Sequence, residues 1–252
     1  MKKLIIKTTL IAGLLFTQSS CKKWLDYNPR EDFQITELDY LASESDYRTM
    51  AVSVYSPLQW LNQAVVVGEV ASDNAVSGGE NASDVLSLQQ IDDYTHTSNN
   101  STLAELWKAA YEGINRANYM TQYRAANPAG KTVDFAGKDA LYGEVNFLRA
   151  YYYFTLVKFF GDVPLFVDKR LGLSESASLG RASKADVYRQ IEADLNAAIT
   201  ALPAVQVQKG RITKYAAQSL LGKVYLYQKK YNEAASVLES VINANAFSLV
   251  TN

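Results

Sequence analysis

Apolar residues recur at helical spacing along most of the chain, with polar residues between them. A period of about 3.6 residues marks amphipathic helices. Over residues 44–62 it gathers Tyr47, Met50, Ala51, Val54 and Leu58 on one face, and Pro57 is set to kink or restart the helix. Over 102–124 it gathers Leu103, Leu106, Trp107, Ala110, Ile114 and Ala117. Residues 138–160 are apolar almost all round, which predicts a helix buried on several sides. The next helix spans 184–202. It opens on Ser183 and Asp186 at capping-box spacing, carries Val187, Ile191, Leu195, Ala198 and Leu202 on one face, and stops before Pro203. A last pair covers 213–229 and 232–244, with Thr213 and Asn232 as N-caps. Gly161-Asp162-Val163-Pro164 reads as a left-handed glycine cap followed by extended chain. The stretch 64–101 reads as a long non-helical loop.

The last pair has a finer pattern. Leu221, Gly222, Tyr225, Tyr231, Ala234, Leu238 and Val241 fall at tetratricopeptide spacing, in which small residues let two helices approach and large ones fill the groove beside them. Helices 138–160 and 184–202 read as a second such pair, separated by the insert 161–183. The fold class is therefore mainly α: a tetratricopeptide-like helix-pair array with long irregular loops and at most a small β element. Such arrays bury a continuous core by stacking, so two or three pairs ending at residue 252 read as an incomplete array.

Composition narrows the chemistry. Lys+Arg 25 against Asp+Glu 26 gives no electrostatic support for a nucleic-acid partner. One Cys excludes a disulfide framework, and a single His96 argues against a His-built metal site or a Ser-His-Asp triad. No cofactor or metal is called for, and no nucleotide, P-loop or hydrolase fingerprint occurs. Seventeen Tyr against nine Phe suits half-buried faces and binding surfaces.

The N-terminus reads as an address and an anchor. Residues 1–20 have the shape of a signal peptide: Lys2, Lys3 and Lys7, then the apolar run 10–16, then Ser19 and Ser20. Cys21 follows where a lipoprotein signal peptidase would cut, although Gln18 replaces the apolar residue of a strict lipobox. Acyl chains such as palmitate on Cys21, at about 0.8 kcal/mol per buried CH2, would hold the protein at a bilayer. Residues 21–35 read as the lipidated tether and 36–252 as the helical domain.

An ordered series of motifs resembles the SusD/RagB family of outer-membrane lipoproteins. It runs from Cys21-Lys-Lys-Trp-Leu-Asp through Glu69 with Ser72-Asp73 to Trp107-x-x-x-Tyr111-x-x-Ile114-x-x-Ala117-Asn118. It continues through Phe147-Leu-Arg-Ala-Tyr-Tyr-Tyr-Phe154 and Phe160-Gly-Asp-Val-Pro-Leu165. Tyr188 to Pro203 and Gly210-Arg211-x-Thr213 to Leu226 complete it. The resemblance implies a non-catalytic, lipid-anchored protein of the outer membrane, displayed at the cell surface. Its partner would be a SusC-type TonB-dependent transporter, to which it hands a nutrient oligosaccharide or peptide. Family members are longer, so the resemblance also implies that this is an N-terminal portion whose C-terminal half is missing. Lys22 and Lys23 stand where many relatives carry acidic residues. The alternative is a tetratricopeptide-type protein–protein adaptor at the outer membrane with no small ligand.

Candidate ligand contacts fall in the polar stretch before the Trp107 helix. Ten of the thirteen residues from Ser72 to Asp84 are Ser, Asp, Asn, Gly or Glu. Carboxylates and amides match sugar hydroxyls, and aromatic rings cover the C–H faces of sugars. Asp73, Asn74, Tyr94, His96 and Asn99 are the residues expected to touch ligand. Asp92, Asp93 and Asn100 belong to the same stretch. Phe147–Phe154 reads as scaffold, with Arg149 needing a buried partner in Asp162 or Glu144. Arg149→Ala is thus expected to damage the fold more than ligand affinity.

Overall fold

The computed structural model describes residues 40–81 and 83–248. The signal segment 1–20, Cys21 and the tether 21–35 lie outside the described residues. Helices α1 (Glu44–Tyr55), α2 (Gln63–Ala71) and α3 (Leu86–Asp92) come first, with a 3-10 turn Ser56–Trp60 after α1. The long helices α4 (Ser101–Gln122) and α5 (Lys138–Phe160) follow. The short α6 (Leu173–Ser176) precedes α7 (Lys184–Ala201), α8 (Lys214–Tyr227) and α9 (Tyr231–Asn243). The β content among the described residues is two isolated antiparallel bridges, Ala126 with Thr132 and Val163 with Ala182. The expected mainly α array is what the chain forms.

Local chemistry sets most of these boundaries. Ser43 accepts from the Asp46 amide while Asp46 accepts from the Ser43 amide, a reciprocal capping box that opens α1. Pro57 sits in the first turn of the 3-10 segment, where its missing N–H costs nothing. Asn100, Ser183 and Thr213 cap α4, α7 and α8 through their side chains. Asn232 does not cap α9. Lys229 takes a left-handed conformation (φ 61°), and the Lys230 amide closes onto the Tyr225 carbonyl. Helix α9 therefore starts one residue early, at Tyr231, with no side-chain cap. Gly161 ends α5 at φ 71° and ψ −120°. That is positive φ without the left-handed helical ψ, so the expected cap geometry is corrected while the need for glycine stands.

The stretch 64–101 is not one loop. It folds as α2 and α3 with polar connections, and Val67, Val70 and Ile91 form a small core of their own. Three consecutive valines in α2 obscured the helix, because a β-branched run favours strand over helix in isolation and tertiary contacts decide here.

Helix α5 is the axis of the main core. It packs against α4, α7, α1 and α8, while α8 pairs with α9. Close approach needs glycine at two contacts. A Cβ on Gly113 of α4 would lie 2.2 Å from the Tyr152 ring of α5, and one on Gly222 of α8 would lie 2.6 Å from Leu238 of α9. The predicted role of Gly222 with buried Ala234 holds.

The tyrosine surplus has a structural reason. The last carbonyls of a helix lack intrahelical donors. Tyr152 donates its hydroxyl to the Val54 carbonyl at the end of α1, and Arg116 donates to Ser53 beside it at 2.7 Å. Tyr142 donates to Met120 at the end of α4 at 2.8 Å, and Tyr47 donates to Tyr123 at 2.9 Å. Each ring fills core while its tip caps a neighbouring helix. Burial raises the phenol pKa of Tyr47 to about 12 and pushes those of Tyr142 and Tyr152 higher still.

Arg149 does not pair with Asp162 or Glu144. Its guanidinium grips Asp194 of α7 through Nε at 2.8 Å and Nη2 at 2.6 Å, with both side chains less than a tenth exposed. Nη1 donates to Asn118 Oδ1 at 2.9 Å and to the Val167 carbonyl at 2.7 Å. The expected partners are occupied: Asp162 accepts from the Lys184 amide, and Glu144 pairs with Arg211 and Tyr55. The one-turn periodicity of α7 places Asp194 among Val187, Ile191 and Leu195, toward α5. The extended segment 164–171 beside this pair is held by side chains. Tyr111 reaches Pro164, Tyr153 and Asn118 reach Phe166, and Asn115 accepts from Leu171.

Candidate functional site

A surface groove lies at the start of α4. Asn100 is buried and joins α3 to α4. Its Oδ1 accepts from the Leu103 amide at 3.2 Å, and its Nδ2 donates to the Ser87 carbonyl at 2.8 Å and to Gln90 Oε1 at 3.2 Å. The turn 93–100 is thereby fixed over the first turns of α4. Between that turn and the end of α5 lies a groove of about 630 Å3. One wall is His96, Thr97 and Ser98; the floor is Leu103, Ala104, Trp107, Phe159 and Phe160; Lys108 stands at the rim.

The floor is aromatic and ordered. Trp107 meets Phe160 edge-on at 5.0 Å between centroids and Tyr111 at 4.8 Å. Tyr111 stacks on Phe166 at 5.9 Å with ring planes 9° apart, and its hydroxyl donates to Pro164 at 2.8 Å. Burial raises the Tyr111 phenol pKa, with Tyr153 adding to the shift, so the hydroxyl stays a donor. Such a groove can cover an apolar ring face and offer hydroxyl and imidazole partners around it.

Of the five expected contacts, His96 lines this groove. Asp73 and Asn74 lie just past the end of α2 and are exposed. Tyr94 is also exposed and donates its hydroxyl to the Ala71 carbonyl, which draws the turn after α3 to the end of α2 and puts Tyr94 beside the Asp73–Asn74 segment. Asn99 is exposed, its amide bonded to Thr97, and it does not line the groove. Asp73 (φ 58°) and Tyr94 (φ 53°) both adopt the left-handed region, a conformation costing about 1–2 kcal/mol for residues with a Cβ. Asp92 holds the Ser77 amide at 2.8 Å, and Asn100 is a cap, so both have structural work.

Trp107, Lys108, Phe159 and Phe160 are groove residues that sequence reasoning left out. Trp107 falls on the apolar face of α4, and the two phenylalanines end an all-apolar helix, so periodicity assigns all three to core. Among the described residues no cluster of His, Cys, Asp or Glu could hold a metal ion, and no helix is long and apolar enough to cross a membrane.

Helix pairs stacked about a buried tyrosine-rich helix, with an aromatic groove under irregular connections, define a tetratricopeptide-like helical scaffold. A SusD-like family model, described as starch-binding and associating with the outer membrane, matches residues 23–226. The chain belongs to this SusD-like family. Among curated relatives, SusD-like protein P2 of Formosa agariphila is 29% identical over 249 residues, covering 95% of this chain and 46% of its own length. A solved laminarin-binding SusD-like protein is 35% identical, with a TM-score of 0.71 over 79% of this chain and 43% of that one. Surface glycan-binding protein A from Bacteroides fluxus is 27% identical, with a TM-score of 0.71 over 83% of this chain and 46% of that one. The chain spans about half the length of the curated relatives it matches.

Proposed function

We propose that the chain is part of a non-catalytic outer-membrane lipoprotein that captures a nutrient glycan and passes it to a SusC-type TonB-dependent transporter. The observation that carries the reading is the aromatic groove at the start of α4, with polar His96, Thr97 and Ser98 facing Trp107 and Phe160, in a chain of a starch-binding-type family. The names of the laminarin-binding and surface glycan-binding neighbours support it. Anchoring follows from Cys21 as the acylated residue after a 1–20 signal, with 21–35 as tether and 36–252 as the helical domain. Asp73, Asn74 and Tyr94, exposed past the ends of α2 and α3, are the further contacts of this reading.

Affinity electrophoresis on a polysaccharide panel that includes laminarin and starch tests the capture step. At least one glycan is expected to retard the chain. Trp107→Ala, shown to be folded by circular dichroism, should weaken that binding about tenfold or more. If the panel yields no retention, or Trp107→Ala binds as well as the parent, the groove is not the site. Incorporation of labelled palmitate that disappears in Cys21→Ser tests the anchor.

A second reading, a protein–protein adaptor, has one observation of its own. Two mixed polar and apolar grooves share Asn196: one of about 620 Å3 with Asn146 and Thr200, the other of about 570 Å3 with Tyr225 and Ser236. Co-purification with the transporter without retention on any glycan would favour it.

A further inference from the structure

The groove at the start of α4 has a charge of its own, distinct from that of the whole chain. Over the sequence, Asp+Glu 26 slightly exceed Lys+Arg 25, so the overall field does not attract anions. Local charges decide at short range, because screening in physiological salt acts over about 8 Å. No carboxylate lines the groove, and Lys108 is the lining residue with a fixed charge. The Lys108 ammonium has no ion-pair or hydrogen-bond partner among the described residues.

The nearby acids keep their charge but bond to other groups, so none pairs directly with Lys108. Glu105 and Glu112 stand at three and four residues from Lys108 on α4, the spacings at which helix ion pairs form. Glu105 accepts from Gln63 at 3.0 Å, and Glu112 pairs with Arg116. Asp92 of α3 holds the Ser77 amide, and Asp162 after α5 holds the Lys184 amide.

We propose that this groove takes a glycan bearing a carboxylate or sulfate, with the anionic group at Lys108 and the sugar ring over Trp107 and Phe160. The proposal rests on the glycan-capture reading and names its substrate class. Aromatic floor and cationic rim act on different parts of one sugar: the rings cover C–H faces, and the ammonium pairs with the charge.

Isothermal titration of the chain with three oligosaccharides of equal length tests it: an oligogalacturonate, a sulfated galactan oligomer and a neutral laminari-oligosaccharide. At least one acidic oligomer is expected to bind roughly two- to fivefold tighter than the neutral one at low salt, the size of one exposed ion pair. The advantage should vanish near roughly 1 M salt, where the screening length is about 3 Å. Lys108→Gln, at an exposed helix position, should remove it without loss of fold. If the neutral oligomer binds as tightly or more tightly, the charge assignment is wrong and the capture reading stands. Binding of none of the three overturns this substrate class and leaves the capture reading to the polysaccharide panel. An acidic preference that survives Lys108→Gln places the anion elsewhere and overturns this site.

Discussion

Replacing Arg149 by Met tests the energetic logic of the core most directly. The guanidinium satisfies Asp194 twice, the Asn118 carboxamide and the Val167 carbonyl, and both charged side chains are almost fully buried. Burial alone lowers the Arg149 pKa, but the Asp194 hydrogen bonds and charge more than reverse it, so the group stays cationic. Methionine fills similar volume but leaves Asp194 with Gln190, at 2.9 Å, as its remaining side-chain donor. Breaking one side of a buried pair typically costs about 3–5 kcal/mol, because the remaining charge is uncompensated. Against a usual stability of about 5–15 kcal/mol, that is a large share of the total. Urea unfolding followed by far-ultraviolet circular dichroism should show an earlier midpoint at unchanged slope. Asp194→Leu should cost a similar amount, and the double variant clearly less than the sum of the two. Additive losses, or a loss below about 1 kcal/mol for either single change, would refute the pairing argument.

The remaining predictions use other contacts. Gly113→Ala should cost about 3 kcal/mol or more, because its Cβ falls inside a fully buried Tyr152 ring. Gly222→Ala should cost less, because Leu238 is only half-buried and can swing aside; equal losses in melting temperature would contradict this. Gly161→Ala has open space for its Cβ and should lose only the backbone term, about 1–3 kcal/mol by urea unfolding. Burial raises the Glu144 pKa despite Tyr55 and Arg211. A raised carboxylate pKa means that the folded state holds its proton more tightly, so this group's contribution is present at low pH and is lost as pH rises through the folded value. The melting temperature of the parent relative to Glu144→Gln should therefore fall as pH rises from about 4.5 toward neutrality, and a flat difference would count against the shift.

Much of the architecture was legible because burial writes a helical period into the chain. The boundaries of 138–160 match those of α5, and Ser183 and Thr213 cap as their side chains allow. The glycine at 222 was readable because the repeat needs a small residue there. Helices α2 and α3 were not readable. The first is a valine run, and the second starts after Val85 at φ 46°, a conformation that nothing in a β-branched residue announces. The partner of Arg149 is not legible locally, because the pair spans 45 positions. Of the candidate site, sequence reasoning found the polar wall at His96 and missed the floor. Trp107 and Phe160 follow the same apolar period as true core residues, so periodicity alone does not separate groove from core.

The segment 164–171 holds its course without a ladder of its own. Its carbonyls at Pro164, Phe166 and Val167 are caught by α4 and α5 side chains, while among the described residues the amides with acceptors are those of Phe166 and Leu171. Deuterium should therefore enter most of its amides quickly even though its path is fixed, so exchange and positional order part company here. The hooks sit on two successive helices, α4 and α5, so the course of this stretch depends on the packing of that one pair.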